Sequence, residues 1–477
     1  MKRHTPPVKT GSRPSGCVCR FFCVVIGPLA ANNCPMRLLP AVLVLLLAAA
    51  SASAQSAKEV YGEDIYWNAT PDDVNHLLKN LKDFADINYN MDVKGLGEVS
   101  MDPERNPVLF RTGHYNFSYT PEERQKLRNF MLSGGMVVYN TGLGSAPFYR
   151  SIIRELAEIF PEQPVQRLSA DHPIFHAFYD VDRVRYASGV AASGYRGDEP
   201  WFDAVEINCR VVALVSRWCM AVGWQDAVKE GQQAYMSDSA YKLGINIFSY
   251  ASAMRAWARN AATAMKFVDK STVDSDKVAL VQLQYDGVWK TRHAGLSVLL
   301  HTFNQRTEVP VKFQVREMRM SEPAVFNSPL LYLTGHEHFT LNAKEIAALR
   351  QYLLNGGFLF AEACCGRKGF DLAFRQLMKQ VLPDRPLQAI RDTSRMFNYP
   401  YELKTLGVTP TLAQELGQAA VPPMIEGIDV DGHVVVVYSR LGMAGGWEMS
   451  QSPYARGYDD VGSIKLGQCI LMQAVTQ

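Results

Sequence analysis

Cys364 and Cys365 follow Glu362 and Ala363 at the end of a short apolar run and precede Gly366, so two thiols sit where a strand must bend toward the next element. A thiol at such a bend is a nucleophile when an imidazole can take its proton, and His336 is the candidate base. The same stretch offers a second chemistry. His336, His338 and Glu362, with a cysteine as fourth ligand, are residue types that hold a transition metal. Their spacing matches no standard ligand pattern, and His338 can join His336 only if the turn aims both rings the same way. No cofactor is expected.

The elements that must position these residues occur twice. Thr112-Gly113-His114 answers Thr334-Gly335-His336, Phe117 answers Phe339, Leu127-Arg128 answers Leu349-Arg350, and Gly134-Gly135 answers Gly356-Gly357, every pair 222 residues apart. A constant offset without gaps marks a duplicated domain. The later part of each copy matches at 223: Ser216-Arg217 with Ser439-Arg440, Gly223-Trp224 with Gly446-Trp447, and Lys242-Leu243-Gly244 with Lys465-Leu466-Gly467. The expected boundaries are a first copy over 56–268, a short polar linker over 269–276 and a second copy over 277–477.

Within each copy the pattern alternates. Val74, Leu77, Leu78 and Leu81, like Leu296, Leu299, Leu300 and Phe303, have the spacing of an amphipathic helix. Val108 to Phe110 and Leu330 to Leu333 are apolar runs closed by the Thr-Gly-His turn, which reads as buried strand. Thr120-Pro121-Glu122-Glu123 then starts a helix, with a capping hydroxyl, proline in the first turn and acids where the helix dipole favours them. Strand follows again at Met136 and Phe358, then helix. The alternation predicts an α/β layered domain with a mostly parallel sheet, made twice.

Composition is that of a globular protein, 47% hydrophobic and 20% charged over 477 residues. Residues 1–54 stand apart, with no acidic residue, six Lys and Arg and four of the nine cysteines. From Met36 an Arg, an apolar run from Leu38 to Ala50, and Ala52-Ser53-Ala54 before Gln55 read as a secretory signal peptide cleaved after Ala54, with Met36 as the expected start. The apolar run is too short for a spanning helix of about 20 residues, so no transmembrane helix is expected in the mature chain. Without the leader, 43 basic residues face 47 acidic ones, a net charge of −4 that recommends no nucleic acid as partner. A periplasmic or secreted location follows as an expectation. In that oxidising setting Cys209, Cys219, Cys364, Cys365 and Cys469 can pair, although they form no regular framework and no CxxC motif.

The Thr-Gly-His-x-x-Phe pattern, a helix ending in Leu-x-x-Gly-Gly before a strand, and the later Ser-Arg and Gly-Trp loop resemble domain of unknown function family 4159, a bacterial family. The segment Asp171-His172-Pro173-Ile174-Phe175 is similar to one common in it. The resemblance implies two tandem flavodoxin-like, class I glutamine amidotransferase-like, three-layer domains, and almost no activity. Amidotransferases present a Cys at a strand-to-helix bend, with a His followed two residues later by Glu near the domain end. Here the bend reads Glu362-Ala363-Cys364-Cys365-Gly366 rather than Gly-x-Cys-x-Gly, the late loop has no histidine, and the first copy has Gly142 and Leu143 in place of the thiols.

In an open parallel sheet ligands bind beyond the carboxyl ends of the strands. The repeated loops there carry His114 and His336, Asn140 and Glu362, Ser216 and Ser439, Arg217 and Arg440, and Trp224 and Trp447, the expected ligand-binding set. Each has a plainer role. The histidines brace a turn, the arginines form a loop salt bridge, and the tryptophans pack on the sheet. His172 and His176 read as local packing, and Ala251 to Ala264 as a solvated interdomain helix. The expected function is an exported, non-catalytic protein with paired domains that bind a small molecule or an envelope protein partner. The alternative is a hydrolase or transferase in the second copy alone, through Cys364, Cys365 or a metal at His336.

Overall fold

In a computed structural model, which describes residues 22–28, 72–261, 280–311, 315–391 and 393–476, the chain forms two α/β domains, each built on a seven-stranded sheet. The expected linker, 269–276, and the expected cleavage site lie outside the described residues.

The first sheet contains β1 (Phe22–Pro28), β2 (Tyr89–Gly95), β3 (Val108–Gly113), β4 (Met136–Thr141), β5 (Gln166–Arg167), β6 (Phe202–Ile207) and β7 (Arg210–Ser216), in the order β2-β1-β3-β4-β7-β6-β5. The second contains β8 (Leu280–Gln284), β9 (Arg316–Arg319), β10 (Leu330–Gly335), β11 (Phe358–Ala363) and β12 (Gln388–Ala389). After a separate two-stranded ribbon, β13 (Leu406–Gly407) with β14 (Ala420–Val421), it is completed by β15 (Ile425–Val430) and β16 (His433–Ser439), in the order β12-β15-β16-β11-β10-β8-β9.

The sheets are mixed: the expectation of mostly parallel strands holds in the second sheet, whereas antiparallel pairings outnumber parallel ones in the first. In the second sheet β9, β8, β10, β11 and β16 run parallel, while β15 pairs antiparallel with β16 and β12 antiparallel with β15. In the first, only β3, β4 and β7 run parallel. The slot that β8 fills in the second repeat is taken in the first by β1, which pairs antiparallel with both β2 and β3. That strand comes from the segment whose composition reads as leader.

Helices cover both faces of each sheet. Leu127 and Phe130 from the helix Pro121–Leu132 and Ile152 and Leu156 from Ala146–Ile159 pack on one face of the first sheet, and Leu77, Leu81, Trp224 and Leu243 on the other. Thr120 caps Pro121–Leu132 as its sequence predicts, with Glu123 closing a reciprocal capping box. Asn342 and Glu345 do the same for the equivalent helix Ala343–Leu354. The glycine of each Thr-Gly-His turn answers a packing need: a Cβ at Gly113 would lie 2.3 Å from the Phe148 ring, and one at Gly335 would lie 2.1 Å from the Tyr285 hydroxyl.

The antiparallel hairpin β6–β7, repeated as β15–β16, has no counterpart in the alternation read from sequence. Its turn is Asn208-Cys209, both at positive φ (50° and 60°), and the repeat has Asp431-Gly432 at 55° and 91°. Two consecutive left-handed residues make the type I′ turn that matches the twist of a hairpin. A β-bulge falls at Glu206 in the first repeat and at Asp429 in the second.

The two repeats are packed together. The closing helix Ser237–Ala261 of the first buries Met254 and Trp257. Trp257 Nε1 donates to Ser450 O at 3.1 Å, and the Tyr250 ring stacks on Tyr454 at 5.6 Å. Over its described part, 251–261, the expectation of a solvated helix is therefore corrected, because Met254 and Trp257 are buried and Trp257 bonds to the second repeat; 262–264 lie outside the described residues. Among the described residues no helix is long and apolar enough to cross a membrane.

Candidate functional site at the junction of the repeats

His336 leaves the carboxyl end of β10, and Cys364 and Cys365 leave the adjacent end of β11. The β6–β7 hairpin of the first repeat reaches into this crevice and brings Cys209. Cys209 Sγ lies 3.3 Å from Cys364 Sγ and 3.2 Å from His336 Nε2, and the Cys364 and Cys365 sulfurs are 3.9 Å apart. All four candidate ligand atoms, three sulfurs and one imidazole nitrogen, lie within 4.8 Å of one another. Cys209, Cys219, Cys364, Cys365 and Cys469 are free thiols, so no disulfide accounts for the cluster.

Behind the imidazole stands Glu206, also from the first repeat. Its carboxylate takes His336 Nδ1 at 3.2 Å on one oxygen and His172 Nε2 at 3.1 Å on the other. His172 accepts the Ile174 N–H with its remaining nitrogen, which fixes its proton on the side facing Glu206. Glu206 stands at the β-bulge, which the second repeat shares at Asp429. Burial alone would raise Glu206, but the charge of His336 and the hydrogen bonds of both histidines hold it well below the usual carboxylate range. Burial opposes a charged His336 too; the Cys209 sulfur and Glu206 outweigh it and hold the imidazole well above its ordinary value. Hydrogen bonds with Cys209 and Cys364, against burial, hold the Cys365 thiol well below its ordinary range.

Two buried arginines lie close enough to the centre for their charges to interact with its sulfurs. Arg367 donates to Glu337 at 2.6 Å, and Arg292 donates to Ser450 O at 3.0 Å and Glu448 at 3.3 Å. The Nε and Nη2 of Arg292 are buried without a hydrogen-bond partner, on a guanidinium whose charge is sustained, against burial, by the three sulfurs and Glu448. The space between His172, Glu206, Cys209, His336, Cys365 and Arg367 is ≈ 10 Å³.

The structure separates the rest of the expected set from this centre. His338 is exposed. Glu362 turns away and accepts the Tyr332 hydroxyl at 2.7 Å and the N–H groups of Met443 and Ala444. The metal set of His336, His338 and Glu362 does not assemble, because Glu362 caps the short helix Ala444–Trp447 from below. Asn140 does the same in the first repeat, accepting the Met220 N–H at 2.8 Å. Burial lifts Glu362 to about 7 despite these donors. Glu362→Gln keeps an acceptor for the helix and should change stability by less than about 1 kcal/mol, whereas Glu362→Ala orphans two buried N–H groups and a hydroxyl and should cost at least about 3 kcal/mol. Urea denaturation of the two variants measures the difference.

The remaining repeated residues brace their loops. Ser216 and Ser439 each donate to the carbonyl two residues on, at 2.6 Å. Trp224 and Trp447 are 1% and 0% exposed, with their indole N–H bonded to Ala240 O and Ser463 O, which leaves no face for a ligand. Arg217 donates to Gly144 O and lies over the Tyr149 and Trp218 rings, and Arg440 is exposed. His114, partly buried, lies against Gly142 and is lowered mainly by burial. The left-handed φ of Cys365 (55°) is shared by Leu143 (48°), so it belongs to the fold and not to the thiol.

Sequence reasoning missed Cys209, Glu206 and the functional place of His172. One signal was available: at the 223 offset Asn208-Cys209 faces Asp431-Gly432, a strong hairpin dipeptide, and a cysteine there stands where glycine is preferred.

No curated protein matches the chain. A family model described as a domain of unknown function, DUF4159, matches residues 57–252 and again residues 278–474. Two matches over most of the chain, with the same hairpin, bulge and buried tryptophan in each half, establish that this chain belongs to the DUF4159 family and carries its domain twice in tandem.

Proposed function

We propose that the chain is an exported, non-catalytic binding protein whose two repeats work as one unit. In this reading the first repeat seals the crevice of the second, and the first repeat's own crevice is the surface offered to a small molecule or an envelope protein. The space of ≈ 10 Å³ at the sealed crevice carries the reading. It accommodates about one water, against the roughly 300–1,000 Å³ of a ligand pocket. At the corresponding loops of the first repeat Tyr115 and Leu143 are exposed (57% and 36%). The parallel strands of the second sheet run second-first-third-fourth-fifth in chain order, which supports a flavodoxin-like, amidotransferase-like domain with His336 near its switch point. Export rests on the apolar run and Ala52-Ser53-Ala54; cleavage after Ala54 would take β1 out of the first sheet.

The thiol hydrolase or transferase remains as a second reading because Cys365 is partly exposed and His336 stands between the thiols and Glu206, a Cys-His-Glu order. The test is turnover of glutamine and of activated acyl esters by the reduced full-length protein and by Cys365→Ala. Equal background rates in the two are expected. An acyl burst that disappears in Cys365→Ala would overturn the non-catalytic reading.

A further inference from the structure

We propose that Cys209, Cys364, Cys365 and His336 form a tetrahedral site for a thiophilic metal ion, Zn²⁺ by the chemistry of its ligands, held jointly by the two repeats. The inference deepens the sealed-crevice reading and rests on it. Three sulfurs and an imidazole nitrogen are a standard ligand set for a closed structural zinc site, with Zn–S bonds of about 2.3 Å and so about 3.8 Å between ligand sulfurs. The observed separations of 3.3 and 3.9 Å between sulfurs and 3.2 Å from sulfur to nitrogen bracket that geometry, and the four atoms converge from three separate segments of the chain.

The groups behind the four ligands fit the same assignment. His336 offers one nitrogen to the cluster and gives the other to Glu206, the carboxylate–histidine arrangement that orients an imidazole toward a metal. Three thiolates and a divalent ion leave one negative charge, and the buried Arg292 presents two unpartnered N–H-bearing nitrogens.

The backbone supplies an independent observation. Cys209 occupies a left-handed position (φ 60°) where the other repeat has Gly432. A side chain there is strained by roughly 1–2 kcal/mol relative to glycine, and such outliers persist where a site needs the side chain. The same comparison provides a variant that should fold, because Cys209→Gly adopts the solution already present at Gly432.

The experiment uses the full-length protein purified in reductant. Elemental analysis should find about one zinc per chain, and exchange for Co²⁺ should give the visible bands of tetrahedral thiolate-bound cobalt. Cys209→Gly, with unchanged circular dichroism, should lose the ion and the bands. Glu206→Gln, which changes only the carboxylate behind His336 Nδ1, should weaken Co²⁺ binding about 10- to 100-fold. Reduced wild-type protein that takes up neither ion overturns the site, as does a Cys209→Gly protein that binds Co²⁺ with unchanged affinity and spectrum. A Cys209–Cys364 disulfide that survives reductant, seen as a loss of two hydrogens in the intact mass, overturns it as well. If metal is absent and acyl turnover is also absent, this inference alone fails; turnover dependent on Cys365 removes the non-catalytic reading beneath it.

Discussion

Glu206→Ala should destabilise the protein by about 3–5 kcal/mol, measured as the fall in unfolding free energy in urea. The carboxylate is buried and joins His172 of its own repeat to His336 of the other. Alanine leaves two buried imidazoles without their acceptor. A loss of this size is a large share of the 5–15 kcal/mol that holds an ordinary domain folded. Glu206→Gln keeps the shape and one acceptor oxygen, so it can satisfy one histidine and should fall between wild type and alanine. A Glu206→Ala protein as stable as wild type would show that the two histidines find other partners, and that the junction does not depend on this carboxylate.

Trp447→Ala should cost about 3–5 kcal/mol, and Trp224→Ala a similar amount, by emptying fully buried volume that the surroundings cannot refill. Trp447 lies against the Tyr332 and Phe360 rings, at 5.8 and 6.0 Å, and donates to the closing helix at Ser463 O. Its repeat mate donates to Ala240 O. The two variants damage different repeats, so together they measure coupling across the junction. If the repeats unfold as one, each substitution lowers a single shared transition in urea. Two transitions, only one of them shifted by each variant, would mean that the hairpin and the Tyr250–Tyr454 stack hold the repeats side by side without making them cooperative.

These tryptophans also explain a motif. Lys242-Leu243-Gly244 and Lys465-Leu466-Gly467 keep glycine because a Cβ at Gly244 would lie 2.9 Å from the Trp224 indole nitrogen, and one at Gly467 would lie 3.0 Å from that of Trp447. Both residues of the pair were visible in the repeated text; that they touch was not. Much of what duplication preserved is of this kind. Ser216 and Ser439, Asn140 and Glu362, and the Thr-Gly-His glycines recur because each repeat must close the same loops over the same packed helix starts.

What the sequence determined by itself was the repeat, the helices and the parallel strands, while the β6–β7 and β15–β16 hairpins escaped it. The constant offset gave the two domains, helix periodicity and the Thr120 cap gave the helices, and apolar runs ended by glycine gave the parallel strands, because those signals depend on near neighbours along the chain. Only the tertiary structure decided the site. Cys209 and Glu206 lie 127 and 130 residues from His336 and belong to the other repeat, on a hairpin whose turn carries cysteine where the paired copy has glycine. Comparing the copies emphasises what they share, such as His336 with His114, while the three thiols of the centre are what they do not share: Cys209 against Gly432, Cys364 against Gly142, and Cys365 against Leu143. Docking one repeat's hairpin into the other's crevice breaks the symmetry of the duplication, and that long-range contact turned scattered thiols and an imidazole into one cluster.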